Sequence, residues 1–171
     1  MVTIKEKIDK IDIACINYKL VRDSKIKKFR KLDYWLEKES TIFKNEIKNA
    51  KQVYKRYKRG QILKIDFGIG IGSELSHTHF GTVINDDYTS MNDNITIIPI
   101  SSKKGYKGLS LGKILLNMYP INSKYNLNCY AIITQITTIS KVRVLPNNKK
   151  YICSKEILEK LDSEIINNFT K

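Results

Sequence analysis

Residues 60–85 read GQILKIDFGIGIGSELSHTHFGTVIN, and the change of pattern inside this stretch decides the fold class. The segment QILKIDF alternates, with Leu63, Ile65 and Phe67 on one side of an extended chain. Alternation with a period of two predicts a half-buried β-strand. The β-rich run FGTVI predicts a second strand, and the three glycines between the two runs predict a flexible or tightly turned loop.

Downstream of this stretch, clusters of turn-forming residues separate further short β-rich runs. These runs are ITIIPI at 95–100, YAIITQI at 130–136 and VRVL at 142–145. Short strands at close spacing favour a small β-barrel over a sheet of βαβ units. The chain then returns to helical spacing, and Ser154 can cap a helix. The apolar stripe of that helix comprises Ile157, Leu158, Leu161, Ile165 and Phe169.

Upstream of Gly60 the chain contains no glycine or proline, and its apolar residues follow helical spacing. Two stripes, joined by the hinge RDSKIKK at 22–28, predict a helical hairpin that could pack on itself, on the rest of the chain or on another copy. We expect a helical extension at 1–58 and a β-barrel domain at 59–171. The first stripe comprises Ile4, Ile8, Ile11, Cys15 and Tyr18, and the second comprises Phe29, Leu32, Leu36, Phe43, Ile47, Ala50, Tyr54 and Tyr57.

The net charge of +14 is distributed unevenly along the chain. Residues 1–59 carry 18 Lys/Arg and 8 Asp/Glu, a net charge of +10, and residues 60–171 carry 13 and 9, a net charge of +4. Such an excess indicates an anionic partner, with nucleic acid the first candidate. A compositional drift towards Lys, Ile and Asn is the alternative. The basic run 55–59, interleaved with Tyr54 and Tyr57, could contact RNA or form the solvated end of a helix.

The cysteines and the hydropathy pattern indicate a cellular compartment. The three cysteines are far apart and form no C-x-x-C pair, so neither a zinc site nor a disulfide framework is indicated. The first ten residues contain no apolar run, and no stretch reaches the length of a membrane span. We therefore expect a cytoplasmic protein with reduced thiols and no cofactor.

The only two histidines, His77 and His79, lie two residues apart and face the same side of an extended segment. The preceding GIGIG is not a dinucleotide-binding fingerprint, because no helix follows it. A closed metal site needs more than two histidines, and even with Glu74 the spacing supports none. In RNA cleavage through the ribose 2′-hydroxyl, a histidine can act as base, acid or phosphate ligand. The alternative is that both are ordinary loop residues.

Three blocks in this order resemble the MazF/PemK family of bacterial toxins. The family's opening is similar to RGQILKIDF followed by GSE and FGTVIN in this chain. A family strand that ends in Pro-Ile-Thr before basic residues is similar to ITIIPISSKK. The family's strand pair with the pattern QIRTI-x-K-x-R is similar to YAIITQITTISKVRVL. The resemblance covers about 58–169 and implies an α+β fold. This is a small SH3-like β-barrel of MazF/PemK type with a C-terminal helix, here preceded by the N-terminal helical hairpin.

The same resemblance implies a function. Its members are toxins of toxin–antitoxin pairs, usually homodimers, that cleave single-stranded RNA as metal-independent, sequence-specific endoribonucleases. The products carry a 2′,3′-cyclic phosphate and a 5′-hydroxyl, and a partner antitoxin, expected to be a protein, blocks the RNA groove.

The family's site residues carry over only in part. Counting from the GSE motif puts His79 where the family usually has an arginine. Ser101 follows Pro-Ile, where the family has its catalytic threonine, and Thr137 lies between Gln135 and Thr138, where the family has a second arginine. The resemblance therefore implies His79, Ser101 and His77 as catalytic residues, with Ser101 and backbone N–H groups of the 72–75 loop holding the phosphate. Two interpretations stay open: a variant nuclease, or a barrel that binds RNA or DNA without cutting it. The implied substrate-binding residues are Ser73, Glu74, Ser102, Lys103, Gln135, Thr138 and Arg143.

Overall fold

The protein is described by a computed structural model that covers residues 4–48, 53–87, 91–101, 115–117, 128–146 and 151–170. The chain divides into two compact units, Met1–Ala50 and Lys51–Lys171. The first unit is built from helices, and the second from a β-sheet and one long helix. The domain boundary that we expect between residues 58 and 59 stays a prediction.

The first unit is a helical hairpin, as the sequence predicts. Its elements are α1 (Ile4–Asp23), a 3₁₀ turn (Lys27–Phe29) and α2 (Leu32–Lys48). The two helices contact each other, and Leu32 and Trp35 of α2 are buried. The predicted stripe of α1 is exposed wherever its side chains are described, with Ile11 64% and Tyr18 45% exposed. Among the described side chains of this unit, burial therefore comes from α2.

Helix α2 ends at Lys48, well before the two tyrosines that close its predicted stripe. The segment 53–58 contains no regular secondary structure. Its backbone is held by long-range bonds instead: Tyr57 N–H donates to the Asp87 carboxylate at 2.8 Å, and Arg56 Nε donates to the Asp87 carbonyl at 3.1 Å. Tertiary contacts of this kind override helical spacing. The basic run is therefore not the end of a helix.

The second unit is one antiparallel sheet with a helix on one face. Its elements are β1 (Gln61–Asp66), β2 (Thr78–Val83), β3 (Asn94–Ser101), β4 (Leu115–Asn117), β5 (Asn128–Ala131), β6 (Thr137–Ser140), β7 (Tyr151–Ile152) and α3 (Lys155–Phe169). The strands follow the order β4-β5-β3-β2-β1-β7, and β6 also pairs with β3. The predicted cap of α3 is confirmed, because Ser154 Oγ accepts the Ile157 N–H at 3.3 Å.

Alternation along the strands builds two apolar clusters, one on each face of the sheet. One cluster contains Ile62 and Ile100 together with Leu161 of α3. The other contains Leu63 and Ile65, the residues that the sequence puts on a shared face. β1 and β3 contribute to both clusters, which fixes their register, because a slip of one residue would exchange the faces.

The sheet curls back towards its first strand. β3 is long enough to pair with β5 at one end and with β6 at the other. After β6 the chain returns to β1, where Val144 bridges Ile65 and Leu145 N–H donates to the Lys64 carbonyl at 2.8 Å. The predicted antiparallel β-domain with its C-terminal helix is confirmed, but the predicted barrel is not closed among the described residues, where a single bridge makes the return instead of a full ladder.

Two of the predicted β-runs are interrupted, and three short strands escape prediction. The run 130–136 contains the end of β5 and then a 3₁₀ turn at Ile133–Gln135. The run 142–145 overlaps a second 3₁₀ turn at Lys141–Arg143. Strands β4, β6 and β7 have two to four residues each, too few to produce a clear period in the sequence.

Candidate active site

A pocket of about 680 Å³ opens between the glycine loop and the chain that follows β5. One wall is the loop that joins β1 to β2, and the other is the segment 134–140 with the turn beyond it. The lining includes five of the residues that we expect to bind substrate: Ser73, Glu74, Gln135, Thr138 and Arg143. The fold therefore brings together residues that lie up to 70 positions apart in the sequence.

Backbone hydrogen bonds close the glycine loop at its base. Phe67 N–H donates to the His77 carbonyl at 3.0 Å, and His77 N–H donates to the Gly68 carbonyl at 2.5 Å. Gly68 N–H donates to the Asp66 carboxylate at 3.1 Å. Gly68 has a φ of 75°, a left-handed conformation that glycine adopts without strain. The chain therefore leaves β1 through a defined turn.

Glu74 holds the same loop from the inside. Its carboxylate accepts the Ile71 N–H at 2.8 Å, and its own N–H donates to the Ile71 carbonyl at 3.0 Å. A β-carbon on Gly70 would lie 2.6 Å from the β-carbon of Glu74, so this close approach requires glycine. These bonds engage a carboxylate and a backbone N–H that we expected to meet the substrate. The loop is a hydrogen-bonded wall of the pocket.

Gln135 reaches the pocket because the strand partner of β3 bulges. Ile97 of β3 pairs with Thr137, and Ile100 pairs with Ala131. Between these two pairs the chain covers three positions on β3 but six positions on the partner side. The three extra residues leave the ladder and form the 3₁₀ turn that ends at Gln135. Bulges often redirect side chains next to functional sites.

The Gln135 amide is oriented by the opposite wall. Its Nε2 donates to the Ser73 carbonyl at 3.2 Å. Its Oε1 is buried and has no hydrogen-bond partner in the part of the chain that the structure describes. Leaving a buried acceptor without a donor costs about 1–3 kcal/mol. A ligand in the pocket that carries an N–H or O–H group can satisfy this acceptor once the Gln135 side chain turns to expose it.

Thr138 and Arg143 extend the polar wall. The Thr138 hydroxyl lies 2.9 Å from the Thr96 hydroxyl across the β3–β6 pair. Arg143 is half-buried and ends the 3₁₀ turn that follows β6. The guanidinium of Arg143 and the carboxylate of Glu74 are the two charged groups among the described residues that line the pocket.

A buried ion pair fixes the turn that carries Arg143. Lys141 Nζ lies 2.8 Å from the Asp87 carboxylate, and these side chains are 2% and 0% exposed. Burial works to raise the pKa of Asp87, but the bonds from Lys141 and the Tyr57 N–H outweigh it and hold that pKa below its ordinary value. Burial also raises the pKa of the Tyr57 phenol, and the Asp87 charge adds to that effect.

The three residues that we expect to be catalytic do not line this pocket. His79 is half-buried on β2, where its Nε2 bonds the Ser76 carbonyl at 3.0 Å. A carbonyl only accepts, so Nε2 carries the hydrogen of this bond. The ring also meets Phe67 edge-on, with 6.3 Å between the ring centroids. Phe67 lines the pocket, so His79 contacts a residue of the pocket wall without lining the pocket itself.

Ser101 and His77 lie close to His79. The β2–β3 ladder ends at Phe80 opposite Ile100, so His79 and Ser101 are the next residues on adjoining strands. Ser101 is 7% exposed. His77 has a φ of 69°, which is uncommon for a residue other than glycine. The fold therefore brings His79 and Ser101 to neighbouring positions on adjoining strands, and none of the three residues lines the pocket.

Two of the expected substrate-binding residues, the expected absence of a metal site and the hydropathy of the helices concern other parts of the chain. Ser102 and Lys103 lie outside the described residues. Among the described residues, no group of three His, Cys, Asp or Glu side chains is arranged to hold a metal ion, and no helix is long and apolar enough to cross a membrane.

Sequence reasoning missed the Asp87–Lys141 pair. The sequence shows only that Lys141 is the lysine of the K-x-R pattern. That pattern does not indicate a partner 54 residues away.

Comparison with known proteins identifies the family. A family model described as a PemK-like, MazF-like toxin of type II toxin–antitoxin systems matches residues 58–169. The chain belongs to the PemK/MazF toxin family. Residues 1–57 lie outside the PemK/MazF match. No curated protein sequence matches the chain.

Solved MazF structures are similar to this PemK/MazF chain at low sequence identity. MazF from Deinococcus radiodurans gives a TM-score of 0.52 at 11% identity, covering 68% of this chain and 99% of that one. A MazE–MazF structure from the same organism gives 0.49 at 12%, covering 68% and 97%. An endoribonuclease with its cognate antitoxin from a mycobacterial species gives 0.45 at 13%, covering 67% and 95%. The first of these supports the PemK/MazF fold.

Proposed function

We propose that the chain is the toxin of a toxin–antitoxin pair and a cytoplasmic, metal-independent, sequence-specific endoribonuclease that cleaves single-stranded RNA. The observation that carries the RNA-binding part is the buried Gln135 Oε1, an acceptor without a donor among the described residues, in the pocket that Arg143 lines. All four nucleobases carry N–H donors, and every nucleotide adds a phosphate for a guanidinium to neutralise.

In this proposal the pocket residues bind the RNA. Gln135 accepts a base N–H, and Ser73, whose carbonyl orients the Gln135 amide, forms the adjacent wall with Glu74. Arg143 binds a backbone phosphate, and Thr138 offers a hydroxyl next to it. Ser102 and Lys103 follow β3 in the sequence and add a hydroxyl and a second cation.

Cleavage then requires proton transfers at the scissile phosphate. A base takes the proton of the ribose 2′-hydroxyl, the 2′-oxygen attacks phosphorus, and an acid protonates the departing 5′-oxygen. The products are a 2′,3′-cyclic phosphate and a 5′-hydroxyl. We assign the acid–base role to His79, with His77 as its assistant, and we assign Ser101 on the adjoining strand to the phosphate oxygens. Phe67 connects this group to the base pocket, because it lines the pocket and contacts His79.

A second candidate is a non-catalytic regulator that binds RNA or DNA through the same barrel. One observation favours it: five expected binding residues line the pocket, whereas His77, His79 and Ser101 do not. In this case the chain would bind nucleic acid with the pocket and leave it intact.

Expression in bacterial cells separates the two candidates. Induction of the full chain should arrest growth and produce RNA fragments with 5′-hydroxyl ends, and His79→Ala should prevent both while the protein stays folded. Arg143→Ala should weaken both effects, and Arg30→Ala, which replaces an exposed arginine of the first unit, is its charge-matched control. Normal growth and intact RNA, with nucleic acid still bound to the purified chain, would favour the regulator.

We also propose an antitoxin partner and a homodimer. The family description supports the antitoxin, since type II systems pair a toxin with a second component. Light scattering on the purified chain tests the dimer, and a mass of one chain at micromolar concentration would contradict it. Co-expression with the product of the neighbouring gene tests the antitoxin, and unrelieved growth arrest would contradict that assignment.

A further inference from the structure

The helical hairpin leaves an apolar row uncovered on each of its helices. On α1, the half-buried Ala14 and Val21 mark the side that meets α2, and on α2 the buried Leu32 and Trp35 mark the side that meets α1. At 3.6 residues per turn, an apolar row lies about a quarter turn ahead of the meeting side on each helix. The α1 row comprises Ile11, Cys15 and Tyr18, and the α2 row comprises Leu36, Phe43 and Ile47.

The two rows lie on the same side of the hairpin, which we call the apolar side. Seen from one end, antiparallel helices turn in opposite directions, so rows displaced in the same sense along the sequence fall on one side of the pair. Ile11 is 64% exposed, Phe43 57% and Ile47 85%. Exposed apolar groups that adjoin one another in this way mark an interaction surface.

The unit that contains the hairpin, Met1–Ala50, has a small core. Leu32 and Trp35 are its only buried apolar side chains among those that the structure describes. Units of this size with a small core are stabilised by disulfides, by a metal ion or by association. Cys15 is the single cysteine of this unit, and no described group of side chains could hold a metal ion. Association through the apolar side is the way that is left.

The charges beside the apolar side favour a second copy of this chain as the occupant. Asp12 and Lys19 flank the α1 row, Glu37 and Lys44 flank the α2 row, and all four are exposed. None of them forms an ion pair within the described part of the chain.

These charges match in height along the hairpin. Lys19 lies four residues before the end of α1, and Glu37 lies five residues after the start of α2. Asp12 lies 11 residues before that end, and Lys44 lies 12 residues after that start. Each cation is therefore level with an anion of the other helix. Within one copy the members of each pair lie on opposite outer edges of the apolar side, so only a second copy can bring them together.

We infer that the apolar side binds the apolar side of a second copy, so that two hairpins form a four-helix bundle. A two-fold axis parallel to the helices places α1 of one copy against α2 of the other and keeps every residue at its height. Lys19 then meets Glu37 of the second copy, and Asp12 meets Lys44 of the second copy. This contact involves only the first unit and does not depend on the nuclease assignment.

One added cysteine tests this arrangement on the full chain. Cys15 lies eight residues before the end of α1 and Ser40 eight residues after the start of α2, so the bundle brings them together across the two copies. Under mild oxidation with diamide, Ser40→Cys should form a disulfide with Cys15 of the second copy and give a two-chain band on a non-reducing gel. Thr41→Cys, an exposed position that points more than a quarter turn further round α2, is the matched control. Adding Cys15→Ser to Ser40→Cys should remove the band.

Substitutions in the Ser40→Cys chain then test the charges and the apolar row. Asp12→Lys puts like charges together at two symmetric places and should slow the linking roughly tenfold, and adding Lys44→Glu should restore it to within about threefold. Ile11→Ser should slow the linking by about tenfold. Ile16→Ser, at a similarly exposed position on the other side of α1, should change it by less than about twofold.

Three results would overturn the inference. The first is no two-chain band from Ser40→Cys at micromolar concentration, which would mean that the apolar side is covered within the chain or by a different protein. The second is an equal band from Thr41→Cys, which would indicate random collision. The third is equal slowing by Asp12→Lys with and without Lys44→Glu, which would show that these charges do not meet. A chain that cleaves RNA without linking would lose only this inference, and a chain that links without cleaving would keep it.

Discussion

Replacing Lys141 with methionine keeps the length of the side chain but leaves the buried Asp87 carboxylate without its cation. Removing one partner of a buried ion pair costs about 3–5 kcal/mol. That loss is a large part of the roughly 5–15 kcal/mol that stabilises a typical domain. For an m-value of about 2 kcal/mol/M, the urea midpoint of the second unit should fall by roughly 2 M.

Two measurements on the full chain follow this loss. Circular dichroism gives the urea midpoint, and hydrogen exchange of peptides from 53–60 reports on the second unit separately. The Tyr57 N–H donates to the Asp87 carboxylate, so its amide should exchange faster in the Lys141→Met protein. Adding Asp87→Asn should recover most of the midpoint, because no uncompensated charge then remains and the amide oxygen can still accept the Tyr57 N–H.

The same variant should respond to pH in a defined direction. In the parent chain the pKa of Asp87 is held below its ordinary value, so its contribution to stability is complete above about pH 4 and is lost as the pH falls through the folded-state pKa. Without Lys141, burial dominates and raises the pKa of Asp87. The penalty is then largest at neutral pH and is relieved on acidification, so the two midpoints should converge as the pH falls.

A matched control is Lys160→Met, which breaks the exposed ion pair between Lys160 and Glu156 on α3. Its midpoint should stay close to that of the parent, because exposed pairs stabilise little. The reasoning is refuted if Lys141→Met unfolds at the same urea concentration as Lys160→Met, or if the gap between parent and Lys141→Met widens at low pH.

Three further variants test the glycine loop, the base pocket and the proposed acid–base residue. Gly70→Ala should lower stability by about 1–3 kcal/mol in urea unfolding, because its β-carbon would crowd Glu74; an unchanged midpoint would contradict the loop packing. Gln135→Met removes a buried acceptor, so the urea midpoint should stay the same or rise. RNA affinity, measured by anisotropy, should fall about fivefold, and an unchanged affinity would exclude Gln135 from the base pocket. His79→Ala should stay folded and lose cleavage, and a parental rate would exclude His79 from the chemistry.

The sequence predicted the elements whose patterns are local. The alternation of Leu63 and Ile65 predicted β1 and the face it buries, and Ser154 with its following stripe predicted α3. The failures share one physical cause, which is contact between distant residues. Tyr57 fits the spacing of α2, but Asp87 binds its N–H and the chain has no helix there.

The candidate site was predictable to a similar extent. The resemblance named five residues that the structure brings to one pocket, and their roles in binding stay predictions. The orphan Oε1 of Gln135 follows from a three-residue bulge, which no local period reveals. Counting along the chain gave His79 a position in the family pattern, but it could not show that this ring contacts Phe67 and does not line the pocket.

The most direct measurement is the mapping of 5′-hydroxyl ends after purified full chain is incubated with mixed RNA in the presence of EDTA. We predict fragments that begin at one short sequence motif, end in a 2′,3′-cyclic phosphate, and are missing when His79→Ala replaces the parent. RNA that stays intact at excess protein, while anisotropy still detects RNA bound through Gln135 and Arg143, would contradict the endoribonuclease and leave a binding protein.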